Sequence, residues 1–165
     1  MTAFLGIDLG ERRIGVAIAD GPDVGARPLV TFKRGSTVED DVSHLLPLID
    51  GNLITELVIG LPLETAGDEG PQATVTRAWV DALRSHVGDR VAITLRDERL
   101  SSHLAESRLG PMRRGRSGGP PSKTQRDAYR ARVDREAAAI ILQDELDSRR
   151  AAGFPHIRPT METTP

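Results

Sequence analysis

The chain has 165 residues, of which 38% are apolar and 28% are charged, and these values are typical of one folded globular domain. It contains no cysteine, which excludes disulfide bonds, thiolate metal sites and a cysteine nucleophile. No apolar run approaches the ~20 residues that cross a bilayer, and the N-terminus lacks the basic and apolar regions of a secretory signal. We therefore expect a cytoplasmic protein with no membrane partner.

The formal net charge of −2 conceals an uneven distribution of charge. Between Arg108 and Arg135, nine basic and two acidic residues give a local charge of +7, which leaves −9 for the rest of the chain. Such a region attracts polyanions whatever the total charge is. A solvated loop is the simpler explanation of a charged run. A surface that binds nucleic acid is an equal alternative here, because the run ends on a carboxylate that is singled out below.

The N-terminal third of the sequence predicts an antiparallel meander followed by a helix. Alternating apolar residues over 3–9, 13–20 and 25–33 indicate three strands joined by short turns. Residues 36–50 carry an apolar stripe with helical spacing, and Ser36 is a suitable N-cap.

The middle of the sequence alternates strands and helices. Residues 56–61 form a continuous apolar run, which is typical of a parallel strand buried on both faces. A helix that begins at Pro71 and ends at Gly88 follows, and residues 91–95 form the next strand. Three antiparallel strands followed by alternating helices and strands predict an α/β domain with a mixed five-stranded sheet flanked by helices.

The C-terminal part predicts two helices separated by a loop. The first helix covers about 102–109, and residues 110–122, rich in glycine, proline and arginine, are expected to form a mobile loop. The last helix is expected to begin near Asp127 or Ala131 and to end near Leu146.

We place one domain over residues 1–148 and a disordered tail over residues 149–165. From Gly153 onwards the chain has three prolines and no periodicity, which argues against regular structure. The sequence leaves open whether the protein is a monomer or a homodimer.

Two carboxylates stand where the pattern predicts contact with the core. Asp8 lies in an otherwise apolar strand, and a carboxylate there is costly to desolvate unless it is paired or binds a cation. Asp134 precedes Ala137 and Ala138 by three and four residues, so it shares the apolar face of the last helix and is directed towards the sheet. An acid near a helix start also favours the macrodipole, but the dipole does not explain a position on the buried face.

A third acid, Glu98, follows the strand over 91–95 at its carboxyl end, where open α/β sheets usually place their sites. For Glu98 alone, a surface ion pair with Arg96 or Arg99 is the simpler interpretation. A change of one residue in the strand register would put Asp97 in its place.

Asp8, Glu98 and Asp134 on three different elements would suit a hard divalent cation, because Mg²⁺ prefers oxygen ligands. Two such ions at roughly 3.5–4 Å from each other can activate a water and stabilise the leaving oxygen of a phosphodiester. The sequence therefore predicts a site for Mg²⁺ or Mn²⁺, provided that the three acids converge.

Four segments, in order, resemble motifs of the YqgF/RuvX family and together cover about residues 3–148. They are GIDLGERRIGVAIAD, LVIGLPLETAGDEGP, DERLSSHLAE and VDREAAAIILQDEL. The resemblance implies a ribonuclease-H-like fold of the Holliday-junction-resolvase kind. It also implies a role in pre-16S ribosomal RNA processing, with junction resolution as an older proposal, and it assigns the family's catalytic acids to Asp8, Glu98 and Asp134.

We therefore expect a divalent-metal-dependent nuclease acting on structured nucleic acid, either precursor ribosomal RNA or branched DNA. The alternative is a ribosome-assembly factor that binds ribosomal RNA and cuts nothing; both use the basic region, and only the nuclease needs the three acids. The residues predicted to contact nucleic acid are Arg13, Arg99, Arg113, Arg114, Arg116, Lys123, Arg126, Arg130 and Arg132.

Overall fold

The computed structural model describes residues 2–98 and 101–153. The strands are β1 (Phe4–Leu9), β2 (Arg13–Ala19), β3 (Arg27–Lys33), β4 (Glu56–Pro62) and β5 (Ala92–Glu98). The helices are α1 (Val38–Gly51), α2 (Pro71–Val87), α3 (Ser101–Leu109) and α4 (Lys123–Gly153), and one turn of 3₁₀ helix spans Gly88–Arg90. No helix among the described residues is both long enough and apolar enough to cross a membrane.

The strands form one mixed sheet in the order β3-β2-β1-β4-β5, which confirms the predicted fold class. The first three strands pair antiparallel, whereas β4 pairs in parallel with both β1 and β5. Because β1, β4 and β5 run in the same direction, their carboxyl ends share one edge of the sheet. Asp8 and Glu98 both lie at that edge.

One face of the sheet is covered by α1 and α2 and holds the larger hydrophobic core. Side chains from the three central strands meet aliphatic residues and one tryptophan from these helices, and burial of this apolar surface is the main force that holds the layers together. The principal members of this core are Leu5, Ile7, Val16, Leu57 and Ile59 from the strands, and Leu45, Trp79 and Leu83 from the helices.

The opposite face is covered by α4, which approaches the strands very closely. A Cβ atom at Gly6 would lie 2.6 Å from the carbonyl oxygen of Ala138, and one at Gly15 would collide with the backbone of Asp134. Glycines inside strands often mark such an approach of another backbone. The contact fixes the height and direction of α4 over β1 and β2, and therefore the position of Asp134.

The N-terminus of α1 differs from the prediction, because Thr37 and not Ser36 is the N-cap. The side chain of Thr37 accepts a hydrogen bond from the backbone N–H of Asp40 at 3.2 Å, and the Asp40 carboxylate accepts one from the backbone N–H of Thr37 at 3.2 Å. This reciprocal capping box selects the threonine.

Helix α4 is longer than predicted at both ends. It begins at Lys123, because Ser122 and Gln125 cap each other through hydrogen bonds of 2.8 and 3.2 Å. At the other end, Arg149 pairs with Glu56 of β4 and with Glu145, which anchors the last turns to the sheet.

The extension of α4 reaches into the predicted tail. The helix continues to Gly153, so the predicted boundary at residue 148 falls inside it, and the first five residues of the predicted tail are helical. Residues 154–165 of that tail lie outside the described residues, as does the predicted nucleic-acid contact Arg99.

Candidate active site and basic groove

Asp8 lies near the end of β1, on the face of the sheet that α4 covers, and its side chain is half-buried. It follows Gly6 by two residues and stands opposite Gly15 of β2, and both glycines face α4. Burial, and then the nearby charge of Asp134, raises the pKa of the Asp8 carboxyl to about 7. No hydrogen bond or cation from the described residues offsets that rise.

Glu98 is the last residue of β5, and its carboxylate lies over Gly60 of β4. A Cβ at Gly60 would collide with this carboxylate, so the glycine makes room for it. Burial, and then the charge of Asp8, raises the pKa of Glu98 to about 8. The alternative Asp97 is exposed, because alternate residues of a strand face opposite sides.

The simpler interpretation of Glu98 as an ion-pair partner of Arg96 is wrong. Arg96 instead donates to Glu145 of α4, with 2.9 Å between the guanidinium nitrogen and the carboxylate oxygen. The interpretation through Arg99 concerns a residue outside the described part of the chain.

Asp134 is directed towards the sheet from α4, as its position in the helix pattern predicts, and its side chain is 20% exposed. Its carboxylate accepts a hydrogen bond from Nε of Arg13, at a distance of 2.6 Å. The sequence did not predict this ion pair. It joins the first residue of β2 to the middle of α4, and the approach of α4 over Gly15 makes it possible.

We call Asp8, Glu98 and Asp134 the acidic triad. Asp8 is its central member, because its pKa is raised by Asp134 and its charge in turn raises the pKa of Glu98. The donor set, three carboxylates from three elements, has the chemistry that a hard divalent cation prefers. Across residues 2–98 and 101–153, however, no three carboxylate or imidazole side chains stand close enough to form a ready-made metal site. One member of the triad, Asp134, is held by Arg13.

A basic groove adjoins the triad. It runs between the turn that follows β1, the end of β3 and the first three turns of α4, and its two parts have volumes of about 410 and 420 Å³. Thr31 forms part of its wall and hydrogen-bonds the backbone carbonyl of Ala131. The basic residues that line it are Arg12, Arg13, Lys33, Lys123, Arg126 and Arg130.

Four of these six basic residues were predicted as nucleic-acid contacts, and Arg12 and Lys33 were missed. Lys33 enters the groove because the β2–β3 register places it opposite Arg13. The sequence predicts that β2 and β3 pair antiparallel, but it does not give the register that places Lys33 opposite Arg13. Arg12 is adjacent to Arg13 in the exposed turn, and no sequence pattern distinguishes it from an ordinary solvent-exposed arginine.

The other predicted contacts that the structure describes lie away from the groove. Arg113, Arg114 and Arg116 are exposed in the loop between α3 and α4, which turns through a backbone hydrogen bond of 3.1 Å from Gly115 to the carbonyl of Gly119. Arg132 is also exposed, but it follows Arg130 by two residues and so lies about 200° further around the helix. The structure therefore does not bring these four arginines to the groove.

The model of the RuvX family, described as Holliday junction resolvase, matches residues 2–148. The chain belongs to the RuvX family. The match spans all three acids and the whole basic groove, and it confirms the resemblance found in the sequence motifs.

Relatives of this RuvX chain are similar over almost their whole length. A protein of Roseiflexus sp. (strain RS-1), named "Putative pre-16S rRNA nuclease", is 40% identical over 146 residues, which cover 88% of this chain and 94% of the relative. A protein of Anaeromyxobacter sp. (strain K) with the same name is 42% identical over 145 residues, covering 88% of this chain and 96% of the relative.

The fold is shared with a solved structure, that of Thermus thermophilus RuvC in complex with a Holliday junction substrate. The TM-score is 0.51 at 14% sequence identity, and the alignment covers 90% of this chain and 96% of that one. At this identity the likeness concerns the fold alone. It confirms the predicted ribonuclease-H-like architecture of this RuvX chain.

Proposed function

We propose that this RuvX protein is a divalent-metal-dependent nuclease that hydrolyses phosphodiester bonds in structured nucleic acid. The observation that carries the proposal is the gathering of the acidic triad on one face of the sheet, directly beside the basic groove. Precursor 16S ribosomal RNA is the first candidate substrate, because the curated relatives carry that name, and branched DNA is the second. Processing of ribosomal RNA would place the protein in the cytoplasm.

The triad would hold Mg²⁺ or Mn²⁺, which supplies an activated water and stabilises charge at a phosphodiester. Asp8 is the natural shared ligand, since it alone stands within electrostatic reach of both other acids. The half-buried positions of Asp8 and Glu98 make their negative charges costly without a cation. Both carboxyls release their protons when they become ligands.

The basic groove would hold the sugar-phosphate backbone next to the triad. Arginine and lysine contact phosphates without reading sequence, so the groove supplies affinity and register. The surface adjoining Asp134 is formed by Gly10, Glu11, Arg12 and Arg13, so a strand held in the groove would pass the Asp134 carboxylate.

A second function, a factor that holds ribosomal RNA and cuts nothing, is favoured by one observation. Within the described ranges the structure has a groove lined by basic residues, whereas no three acids are close enough to form a metal site. The two functions differ in what they require of Asp8.

The test is a cleavage assay with the purified protein, using labelled precursor 16S ribosomal RNA and a four-way DNA junction. With Mg²⁺ or Mn²⁺ the parent should cut at least one substrate, and a chelator should stop it. Asp8→Asn should abolish cutting, because a nearly isosteric amide cannot serve as a charged ligand.

The matched control is Asp97→Asn, which removes an exposed carboxylate from the same edge of the sheet. It should cut like the parent. Tight RNA binding without cutting under either cation would favour the holding factor. An Asp8→Asn variant that cuts like the parent would overturn the role of Asp8 as a metal ligand.

A further inference from the structure

Arg13 stands at the junction of the two features just described. It lines the basic groove, and it also lines the smaller space next to Asp134. Its Nε donates to the Asp134 carboxylate, which leaves the terminal guanidinium nitrogens with four further N–H donors. A single side chain thus connects the surface that attracts phosphate with one member of the acidic triad.

The ion pair between Arg13 and Asp134 is partly open to solvent. The two side chains are 26% and 20% exposed, so water and a phosphate oxygen can reach the guanidinium without unfolding the site. A fork of N–H donors matches a phosphate as well as it matches a carboxylate. Replacing Asp134 by a phosphate therefore keeps the hydrogen bonds of Arg13.

Of the three carboxylates in the triad, only Asp134 is paired with a basic side chain of the described residues. Arg13 offsets the charge of Asp134, whereas neither Asp8 nor Glu98 receives a hydrogen bond or a cation from the described residues. A divalent cation that takes the Asp134 oxygen to which Arg13 donates would compete with Arg13 for this carboxylate, and Arg13 would then lose its anion.

We propose that Arg13 is a positioning residue that exchanges between two anions. It holds the Asp134 carboxylate while the triad carries no metal, and it turns to a backbone phosphate in the groove when a divalent cation takes Asp134. The inference rests on the proposed function for the metal and the nucleic acid, and adds that their binding is coupled through this one side chain. By thermodynamic linkage each ligand then strengthens binding of the other by the same factor.

The first test measures divalent-cation binding without nucleic acid, by titration calorimetry with Mg²⁺ and Mn²⁺. Arg13→Gln removes the competitor for Asp134 and should tighten cation binding by about three- to tenfold. The matched control is Arg12→Gln, which removes the same charge from the adjacent residue, one that does not pair with Asp134. It should tighten cation binding distinctly less.

The second test measures RNA binding in the absence of any divalent cation, so it does not depend on catalysis. Asp134→Asn should release Arg13 to the groove and increase RNA affinity by about three- to tenfold. In the Arg13→Gln background the same substitution should have a clearly smaller effect. The Arg12→Gln background should retain the full effect, which separates release of Arg13 from loss of a negative charge.

A folding control accompanies both tests. Arg13→Lys keeps the charge but not the planar fork, and it should fall between the parent and Arg13→Gln in cation affinity. Thermal melts of all variants identify any that fail to fold, and for those the Lys variant replaces the Gln variant.

The outcomes separate this inference from the proposed function. Equal behaviour of Arg13→Gln and Arg12→Gln in both titrations would overturn the exchange, even for a parent that binds Mg²⁺ and cuts RNA. A parent that binds neither Mg²⁺ nor Mn²⁺ would overturn the proposed function and the exchange together.

Discussion

Asp8 and Glu98 are carboxylates in places where the fold disfavours their charge. Burial, together with the charge of an acidic neighbour, raises the pKa of Asp8 to about 7 and that of Glu98 to about 8. Such perturbed groups gather at functional sites more often than elsewhere. The negative charges of Asp8 and Glu98 therefore destabilise the metal-free protein.

The raised pKa values of Asp8 and Glu98 determine the direction in which the free energy of unfolding changes with pH. Between about pH 4 and pH 8 the folded protein binds more protons at Asp8 and Glu98 than the unfolded chain, so its free energy of unfolding falls as pH rises. We expect a loss of several kcal/mol between pH 5 and about pH 8.5 in chelator, measured by urea unfolding, because a change of one unit in a pKa corresponds to about 1.4 kcal/mol. Asp8→Asn should flatten this slope and be more stable than the parent at about pH 8.5.

The control for the slope is Asp97→Asn, whose exposed carboxylate contributes little to folding, so it should follow the parent. Addition of Mg²⁺ or Mn²⁺ at the alkaline end should restore stability to the parent and not to Asp8→Asn. A parent whose stability rises steadily from pH 5 to about pH 8.5 would contradict the electrostatic account of the triad.

At the scale of elements, the site depends on how closely α4 lies on the sheet. Gly6 and Gly15 let the helix backbone touch β1 and β2, and Gly60 gives space to the Glu98 carboxylate. These three glycines interrupt strands whose other residues are largely apolar. Their role is to bring three carboxylates to one face.

The close contact between α4 and Gly15 can be tested by adding a single methyl group. Gly15→Ala should lower the free energy of unfolding by at least about 2 kcal/mol, because the added Cβ would collide with helix backbone that cannot move aside alone. The control Gly51→Ala adds the same methyl near the end of α1, where nothing lies within 4 Å. That variant should be as stable as the parent or slightly more stable. Equal melting temperatures for the two variants would show that the backbone of α4 does not contact Gly15.

The same elements show how far the sequence could predict the site. Asp8 and Asp134 were predicted because each breaks an apolar pattern, and Glu98 because it ends a buried strand. The pair between Arg13 and Asp134 was not predicted, since it depends on where α4 crosses β2. The periodicity of apolar residues predicts which face of a helix packs on the sheet, but it does not predict where along the strands the helix crosses them.

Asp41 also shows that the sequence pattern alone does not predict the surroundings of an acid. Asp41 lies in the acidic first turn of α1 and has the sequence pattern of a solvated helix start. It is completely buried, and its carboxylate accepts hydrogen bonds from Arg34, Gly35 and Trp79. Only the packing of α1 against α2 brings Trp79 to it. Unlike Asp8, this acid is fully paired, so it is structural.

For the whole molecule, the distribution of charge separates two tasks. The basic groove collects positive charge at one end of α4, and the acidic triad collects negative charge beside it. Binding should depend on the groove and cutting on the triad. We infer that one protein does both, and binding and cutting can be measured separately.

The most direct measurement is single-turnover cleavage of labelled precursor ribosomal RNA over a range of protein concentrations, with RNA binding measured in parallel. Glu98→Gln should bind at least as well as the parent and cut at no concentration, because it removes a ligand and a repulsive charge. Arg126→Gln/Arg130→Gln should bind more weakly and recover most of its cutting rate at saturation, since groove contacts serve ground state and transition state alike. Arg132→Gln, on another side of the same helix, controls for lost charge and should weaken binding less. A Glu98→Gln variant that cuts as fast as the parent would contradict the account.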